Sequence, residues 1–343
     1  MNNIYTKELE KFITDIDLVP LRNKSILITG ATGLIGTYLI DVIMYNNKMK
    51  HYNTQVFAGV RNKIKGEAKF KSYEKNKLFQ LVEVDIAQDF RFNFKSDYII
   101  HAASNATPAA FNADPIGTIM ANVNGTLNLL KYAEQVHTTN FVYISSSEVY
   151  GESVEGKVIF KEESLGVVNQ MDPRSCYTES KRMAENICVN YYKQYEVKNS
   201  IARVCFAYGS TFSEEDNRVI PQFVRNALNG ENIVLKSTGE VTRSYAYLYD
   251  VISGLFKVLF EGNPGEVYNI SNKNSNVSIK EIAEIIAEIA KVQVVFDLPQ
   301  EQKEKGYAPF KITLLDSTKL EKLGWKPVFD MKSGLENMIK ILS

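Results

Sequence analysis

The chain has 343 residues, 45% apolar and 23% charged, the make-up of a globular protein with one large or two adjoining domains. Forty basic residues offset forty acidic ones, so there is no overall positive field to draw a nucleic acid. Cys176, Cys188 and Cys205 form no CxxC pair, and His51, His101 and His137 lack a metal-ligand spacing. That pattern fits a reducing compartment and predicts no metal site. The opening "MNNIYTKELEKFITDIDLVP" lacks the apolar core of a signal peptide, and no run approaches the roughly 20 apolar residues of a bilayer span. A cytoplasmic protein without a membrane partner is expected.

After an N-terminal extension over 1–23, β-rich runs alternate with longer helical patterns. The predicted strands are 25–29 (SILIT), 55–60 (QVFAGV), 79–84 (FQLVEV), 97–102 (DYIIHA), 140–145 (NFVYIS) and 199–204 (NSIARV). Helical stretches lie between several of them, notably 116–136 and 176–195. Such alternation predicts βαβ units and a doubly wound parallel sheet, with ligands bound along the rim formed by the strands' carboxyl ends. The rhythm changes beyond residue 208, where "STFSEEDNRVIP" reads as a loop. Further on, Ser278 and Glu281 form a capping box ahead of an apolar stripe of Ile282, Ile285, Ile286 and Ile289, which marks a packing helix.

The first strand runs directly into "TGATGLIGTYLIDVI", which places Gly30, Gly33 and Gly36 at a strand-to-helix turn. Glycines there let backbone approach a pyrophosphate, and the free N–H groups of the new helix favour its negative charge. A lone glycine triplet is weak evidence. This one opens a βαβ series, where it carries meaning, and it predicts a bound dinucleotide held by Gly30, Thr32, Gly33, Leu34, Ile35 and Gly36.

The spacing is GxxGxxG, and with "VDI" at 84–86, "HAAS" at 101–104 and "NVNGTLNLL" at 122–130 the chain resembles the extended short-chain dehydrogenase/reductases. The resemblance implies a Rossmann-type dinucleotide-binding domain over 1–208. A smaller mixed α/β substrate domain follows over 209–343, with some of its segments returning to the first. It further implies that Asp85 and Ile86 border an adenine and that Ala102, Ala103 and Ser104 line the cofactor channel. Asn122 then supports the active-site helix, and Thr107 contacts substrate. The second strand departs from the usual pattern, ending with Arg61 nearby and no carboxylate. A guanidinium there can pair with a 2′-phosphate, so the cofactor expected is NAD(P), with NADP ahead of NAD.

Tyr177 and Lys181 lie four residues apart on a predicted helix, with Cβ atoms about 5–6 Å apart. A cation about 5 Å from a phenolate, at an effective dielectric near 20, is worth roughly 3 kcal/mol. That lowers a phenol by about two pKa units, toward the range of a general base. Tyr-xxx-Lys alone is a common accident. Downstream of the glycine turn, and of "ISSSEVYG" at 144–151 on the ligand-bearing rim, it reads as a catalytic pair. Counted back from "VYG", Ser146 matches the family's catalytic Ser/Thr, with Ser145 and Ser147 as neighbouring alternates.

From about residue 24 onward the chain is similar to nucleotide-sugar epimerases, dehydratases and decarboxylases, through "SSEVYG", "PRSCYTESKRMAE", "GEVTRSYAYLYDV" and "LGWKP". The UDP-glucuronate decarboxylases look nearest. These enzymes share a first step, oxidation of the sugar 4-hydroxyl to a 4-keto intermediate. Ser147 and Glu148 stand where dehydratases carry Asp-Glu, which disfavours loss of water because serine is a poor acid. Decarboxylases share Ser-Glu and add an arginine for the sugar carboxylate, yet no arginine occurs between 244 and 343. Lys305 and Lys311 are possible substitutes as point charges. A 4-epimerase demands least of what is missing and is the expected reaction, with decarboxylation as the alternative. Phe206 stands where relatives carry an asparagine that contacts the diphosphate, while Arg218 and Arg243 match arginines that reach the nucleotide. A nucleotide-diphosphate sugar is the implied partner. By analogy, a homodimer pairs through the helices over 116–136 and 176–195.

Overall fold

The computed structural model describes residues 2–153, 159–298 and 312–343. Its centre is a parallel sheet that begins with β1 (Ser25–Thr29), β2 (Gln55–Val60), β3 (Phe79–Glu83), β4 (Tyr98–His101) and β5 (Asn140–Ser146). Strands Asn199–Val204 and Val267–Ile270 complete it beyond β5, so β1 is flanked by β4 on one side and β2 on the other. Buried Val, Ile and Phe fill these strands because helices cover both faces. The 79–84 run stops one residue early, and the 97–102 run spans only Tyr98–His101.

The helices follow the sequence pattern closely. The first, α1 (Asn3–Asp15), forms within the N-terminal extension. It is followed by α2 (Leu34–Lys50), α3 (Lys63–Lys69), α4 (Pro108–Ala113), α5 (Pro115–Val136) and α6 (Ser175–Tyr195). The loop read over 210–221 ends sooner, because Val219 already opens a helix running to Leu228. The Ser278–Glu281 capping box is present at the start of Ile279–Ala290, and Ile282 and Ile286 are buried beneath that helix. None of the described helices is long and apolar enough to cross a membrane.

A second, smaller sheet sits on the chain's later half. Phe206–Tyr208, Thr242–Tyr247, Ile312–Leu315 and Ile159–Phe160 pair in that order, and Asn276–Ser278 adds antiparallel to Thr242–Tyr247. The two sheets meet through α1. Its Glu8, 5% exposed, accepts hydrogen bonds from Tyr38 of α2 at 2.8 Å and from Tyr247 at 2.7 Å, and one from the Asn337 amide of the last helix. One buried carboxylate thus joins the helix behind the glycine turn to the strand that carries Arg243.

Burial pushes the Glu8 carboxyl up to about 6, although the bonds from Tyr247, Tyr38 and Asn337 pull it down. A carboxyl raised above its unfolded value contributes stability below that value and loses it as pH rises through the folded one. The difference in unfolding free energy between wild type and Glu8→Gln is therefore expected to change by roughly 2 kcal/mol between about pH 4.5 and 6.5. Chemical denaturation at each pH measures it, and parallel curves would remove Glu8 as the titrating group.

Candidate functional site

The glycines of the first turn do different jobs. Gly30 has φ +67°, and a Cβ there would lie 2.7 Å from the Ala102 carbonyl and the Ala103 nitrogen. At Gly36 a Cβ would meet the Gly30 carbonyl oxygen at 2.4 Å. Both are demanded by the protein's own backbone. Gly33 is not: its added Cβ would touch only the Gly30 oxygen, at 3.2 Å. It caps α2 with extended backbone and no side-chain bond, so the first N–H groups of α2, at Leu34 and Ile35, keep their affinity for an anion. Thr32 lies in the turn itself. Thr211 clasps this turn from the far side, donating to the Leu34 carbonyl at 2.7 Å.

Along the rim, Arg61 follows β2 and is exposed. Asp85 is exposed after β3 and accepts from the Ala87 N–H at 3.1 Å. Ile86 is buried against α5 at Gly125, where a Cβ would lie 2.6 Å from it. Ala102, Ala103 and Ser104 follow β4, and the Ser104 hydroxyl is buried without a partner. Thr107 caps α4, accepting from the Ala110 N–H at 3.3 Å. Asn122 is fully buried between α5 and α6. Its amide donates to Ser180 at 2.9 Å while its Oδ1 has no partner. His101 sits beneath, its Nδ1 2.9 Å from the Thr29 hydroxyl, and burial and then Lys181 push it down to about 3.

Tyr177 and Lys181 come together as the helical spacing predicts. The Lys181 ammonium donates to the Ile144 carbonyl at 2.8 Å and lies 5.8 Å from the Tyr177 ring centre and 4.7 Å from that of Tyr143. Phe111 stacks on Tyr177 with centroids 5.2 Å apart, and fixes the phenol's plane. The expected lowering of the phenol does not occur in the protein alone. Burial pushes Tyr177 up and Glu148 adds to the rise, against the Ser146 hydroxyl, Arg218 and Arg174, which oppose it. Burial likewise pushes Lys181 down to about 7, against Glu185 and Cys188. Sequence spacing gives the attraction between the two groups but not the cost of burying both.

Among the three serines, Ser146 is the one whose hydroxyl reaches Tyr177. It also caps the 3-10 turn Ser147–Tyr150, accepting from the Glu148 N–H at 3.2 Å. Ser145 and Ser147 are buried, and the Ser145 hydroxyl has no partner. Glu148 is held by a residue the sequence reading passed over. Arg174, three residues before Tyr177, donates from one terminal nitrogen to Glu148 Oε1 at 3.2 Å, with its guanidinium over the Phe111 ring. The pair is only half satisfied, since Glu148 Oε2 and Arg174 Nε are both buried without partners. Arg174 stands inside the "PRSCYTESK" run, so its nearness to Tyr177 along one helix was an available signal.

Arg218 and Arg243 approach from the later half. Arg218 grips Asp216 with its Nε at 3.0 Å and one terminal nitrogen at 2.6 Å. Arg243 is buried, its guanidinium 5.2 Å from the Phe206 ring centre, and it interacts electrostatically with Glu148 and Arg174. Lys305 and Lys311 lie outside the described residues. Among the described residues no group of three His, Cys, Asp or Glu is placed to hold a metal ion.

Together these features have the arrangement expected of a dinucleotide-binding redox site of the tyrosine–lysine type. The uncapped helix start, the open side of Gly33 and the unpartnered polar atoms of Ser104, Asn122 and Ser145 fit a nicotinamide dinucleotide. Comparison with known proteins agrees. The profile of the NAD dependent epimerase/dehydratase family matches residues 26–271. UDP-glucuronic acid decarboxylase 6 of Arabidopsis thaliana is 32% identical over 93% of this chain and 91% of its own. UDP-glucuronic acid decarboxylase 1 of Xenopus tropicalis is 32% identical over 96% of this chain and 73% of its own. The UDP-glucuronic acid 4-epimerase of Bacillus cereus, solved with UDP-glucuronic acid and NAD, has the same fold. Its TM-score is 0.77 at 23% identity, covering 93% of this chain and 98% of that one. The chain belongs to the NAD dependent epimerase/dehydratase family and is an NAD-dependent enzyme.

The division of labour among the glycines is testable. Gly30→Ala is expected to lower the melting temperature sharply, because both φ and space are wrong for a side chain. Gly33→Ala is expected to melt close to wild type while losing most of its affinity in an NADH fluorescence titration. Equal affinity for wild type and Gly33→Ala would remove the pyrophosphate from this turn.

Proposed function

We propose that this enzyme decarboxylates a nucleotide-diphosphate hexuronate, of the UDP-glucuronic acid kind, rather than epimerising a neutral sugar. The carrying observation is the Glu148–Arg174 pair beside Tyr177, with an unpartnered oxygen on one member and an unpartnered N–H on the other. A 4-epimerase of a neutral sugar has no use for it. A sugar carboxylate does, since a guanidinium with an unused donor is the group that holds one. The missing arginine of the C-terminal region is thus supplied from the start of α6. The similarity in sequence to decarboxylases over 93% and 96% of this chain favours the same reading over the epimerase first expected.

The chain's own groups divide the work as follows. The glycine turn would hold a nicotinamide dinucleotide, which when bound would supply a reversible hydride acceptor for C4 of the sugar. Tyr177, as phenolate, takes the proton of the 4-hydroxyl, with Lys181 supplying the adjacent positive charge and Ser146 a hydrogen bond to the same sugar oxygen. Once C4 is a ketone, the carboxylate on C5 belongs to a β-keto acid. The bond between C5 and the carboxylate carbon breaks, its electron pair passes to the C4 oxygen as an enolate, and carbon dioxide leaves. Tyr177 and Ser146 hold that oxygen, and Arg174 orients the carboxylate until it departs. A proton delivered to C5 from the Glu148 side completes the exchange. Arg218 and Arg243 face the diphosphate.

The cofactor's 2′-position is read by Arg61, which is exposed at the end of β2 with no carboxylate in the same place. This supports NADP binding beyond the family's NAD dependence. Arg61→Ala is expected to weaken NADPH binding about tenfold with little change for NADH, in paired fluorescence titrations. Equal losses for both would return the preference to NAD.

Incubation with UDP-glucuronic acid and cofactor is expected to give a pentose product lighter by one carbon dioxide in mass spectrometry. An unchanged mass with altered sugar couplings by NMR would instead establish epimerisation. Tyr177→Phe is expected to lose turnover by at least a thousandfold while cofactor stays bound. Arg174→Leu is expected to lose action on the uronate while retaining binding of UDP.

A further inference from the structure

Helix α6 carries a further buried charge one turn beyond Lys181. Glu185 lies four residues on and shares a face with Lys181, and it is 7% exposed. Its carboxylate is fixed from a neighbouring strand. Arg203, in Asn199–Val204, donates from Nε to Oε1 at 2.9 Å and from one terminal nitrogen to Oε2 at 2.7 Å. Arg203 is held in turn: its other terminal nitrogen donates to the Glu162 carbonyl at 2.9 Å, and its guanidinium carbon lies 4.7 Å from the Tyr150 ring centre. A two-point grip of this kind fixes where the carboxylate's charge sits.

Lys181 stands in a place where such a charge matters. Its ammonium donates to the Ile144 carbonyl, a dipole rather than a counterion. The groups packed around it favour their uncharged forms. Burial raises Tyr143 of β5, and burial and then Lys181 push His101 of β4 down to about 3. On α6 itself, burial and then Glu185 push the Cys188 thiol up, and burial and then Glu148 push Tyr177 up. Glu185 is the carboxylate whose charge reaches Lys181, and it opposes the burial that strips an ammonium of its proton.

We infer that Glu185 is a positioning residue for the Tyr177–Lys181 pair: clamped by Arg203, its carboxylate holds the proton on Lys181 and so keeps a cation beside the phenol. Phenol, ammonium, carboxylate and guanidinium then form one buried line of interacting groups, three of them on α6 and the last on the adjoining strand. The inference rests on the roles given to Tyr177 and Lys181 above, and the first arm of its test stands apart from them.

That arm reads Lys181 in the protein without ligand. Carbon-13 NMR of the lysine side chains over a pH series, with Lys181→Met to assign the signal, gives the pH at which Lys181 loses its proton. Glu185→Gln keeps the shape and removes the charge, and is expected to lower that pH by about one unit. Glu185→Asp keeps the charge and is expected to titrate close to wild type. The second arm is kcat against pH with cofactor and UDP-glucuronic acid saturating. Its ascending limb is expected to move up by about one unit in Glu185→Gln, because a phenol whose cation discharges early needs a higher pH to ionise. Should Glu185→Gln not fold, the double variant Glu185→Gln with Arg203→Met removes both charges together, and a smaller fall of the same sign is expected for Lys181. An unchanged Lys181 titration in a folded variant overturns the inference. So does a fall in Glu185→Asp as large as in Glu185→Gln, or a fall that leaves the limb of the turnover profile in place. Wild-type protein that turns over no nucleotide sugar removes the reaction proposed above, and the Lys181 titration still decides whether Glu185 holds that proton.

Discussion

The structure turns on burying a phenol and an ammonium side by side. Burial penalises whichever form is charged, so it lifts Tyr177 and depresses Lys181 at once. The protein alone therefore favours a neutral phenol and weakens the lysine's hold on its proton. Neither group is a ready-made base. What the fold supplies is a dry, fixed geometry in which an arriving positive charge acts with little screening. Lys181 is held on the Ile144 carbonyl and Tyr177 under Phe111, so the geometry is set before that charge arrives and needs no rearrangement afterwards.

The parallel sheet makes this possible. β4 and β5 lie next to one another beside β1, so the residues after each of them fall on one rim: the glycine turn, Ala102 to Ser104, and Ser145 to Glu148. Helix α6 crosses beneath that rim, tied to α5 by Asn122 and Ser180, and delivers Arg174, Tyr177 and Lys181 from successive turns. The second sheet brings Arg243 in from more than sixty residues further along. The tyrosine–carboxylate bonds of Glu8 then join that sheet's Tyr247 to α2, so the strand that carries Arg243 and the helix behind the glycine turn share one anchor.

The features legible in the sequence are those whose causes are local. Gly30 and Gly36 announce themselves because a backbone turn excludes any side chain there. Tyr177 and Lys181 do so because helical spacing alone makes them neighbours, and Ser278 with Glu281 because a cap is a four-residue device. Arg174 was legible only as a neighbour of Tyr177 in the same run, not in its role. Its meaning depends on Glu148, 26 residues earlier, and on a ring from α4. Nothing in the N-terminal extension singles out Glu8, since its partners lie on α2, on a distant strand and on the last helix. The pKa of Tyr177 was misjudged for a related reason: pair attraction follows from spacing, whereas desolvation is a property of the whole fold.

The same distinction bears on the chemistry. Glu148 and Arg174 are felt at Tyr177 together with Arg218, while Arg243 is felt by the first two. Asp216 is committed to Arg218. Glu148 and Arg174 keep one buried oxygen and one buried N–H unpartnered between them, and such groups are costly to bury unless a ligand pairs with them. On the decarboxylase reading proposed above, the carboxylate of a hexuronate would pair with that unused N–H, and its departure as carbon dioxide would return the pair to the state it has in the protein alone.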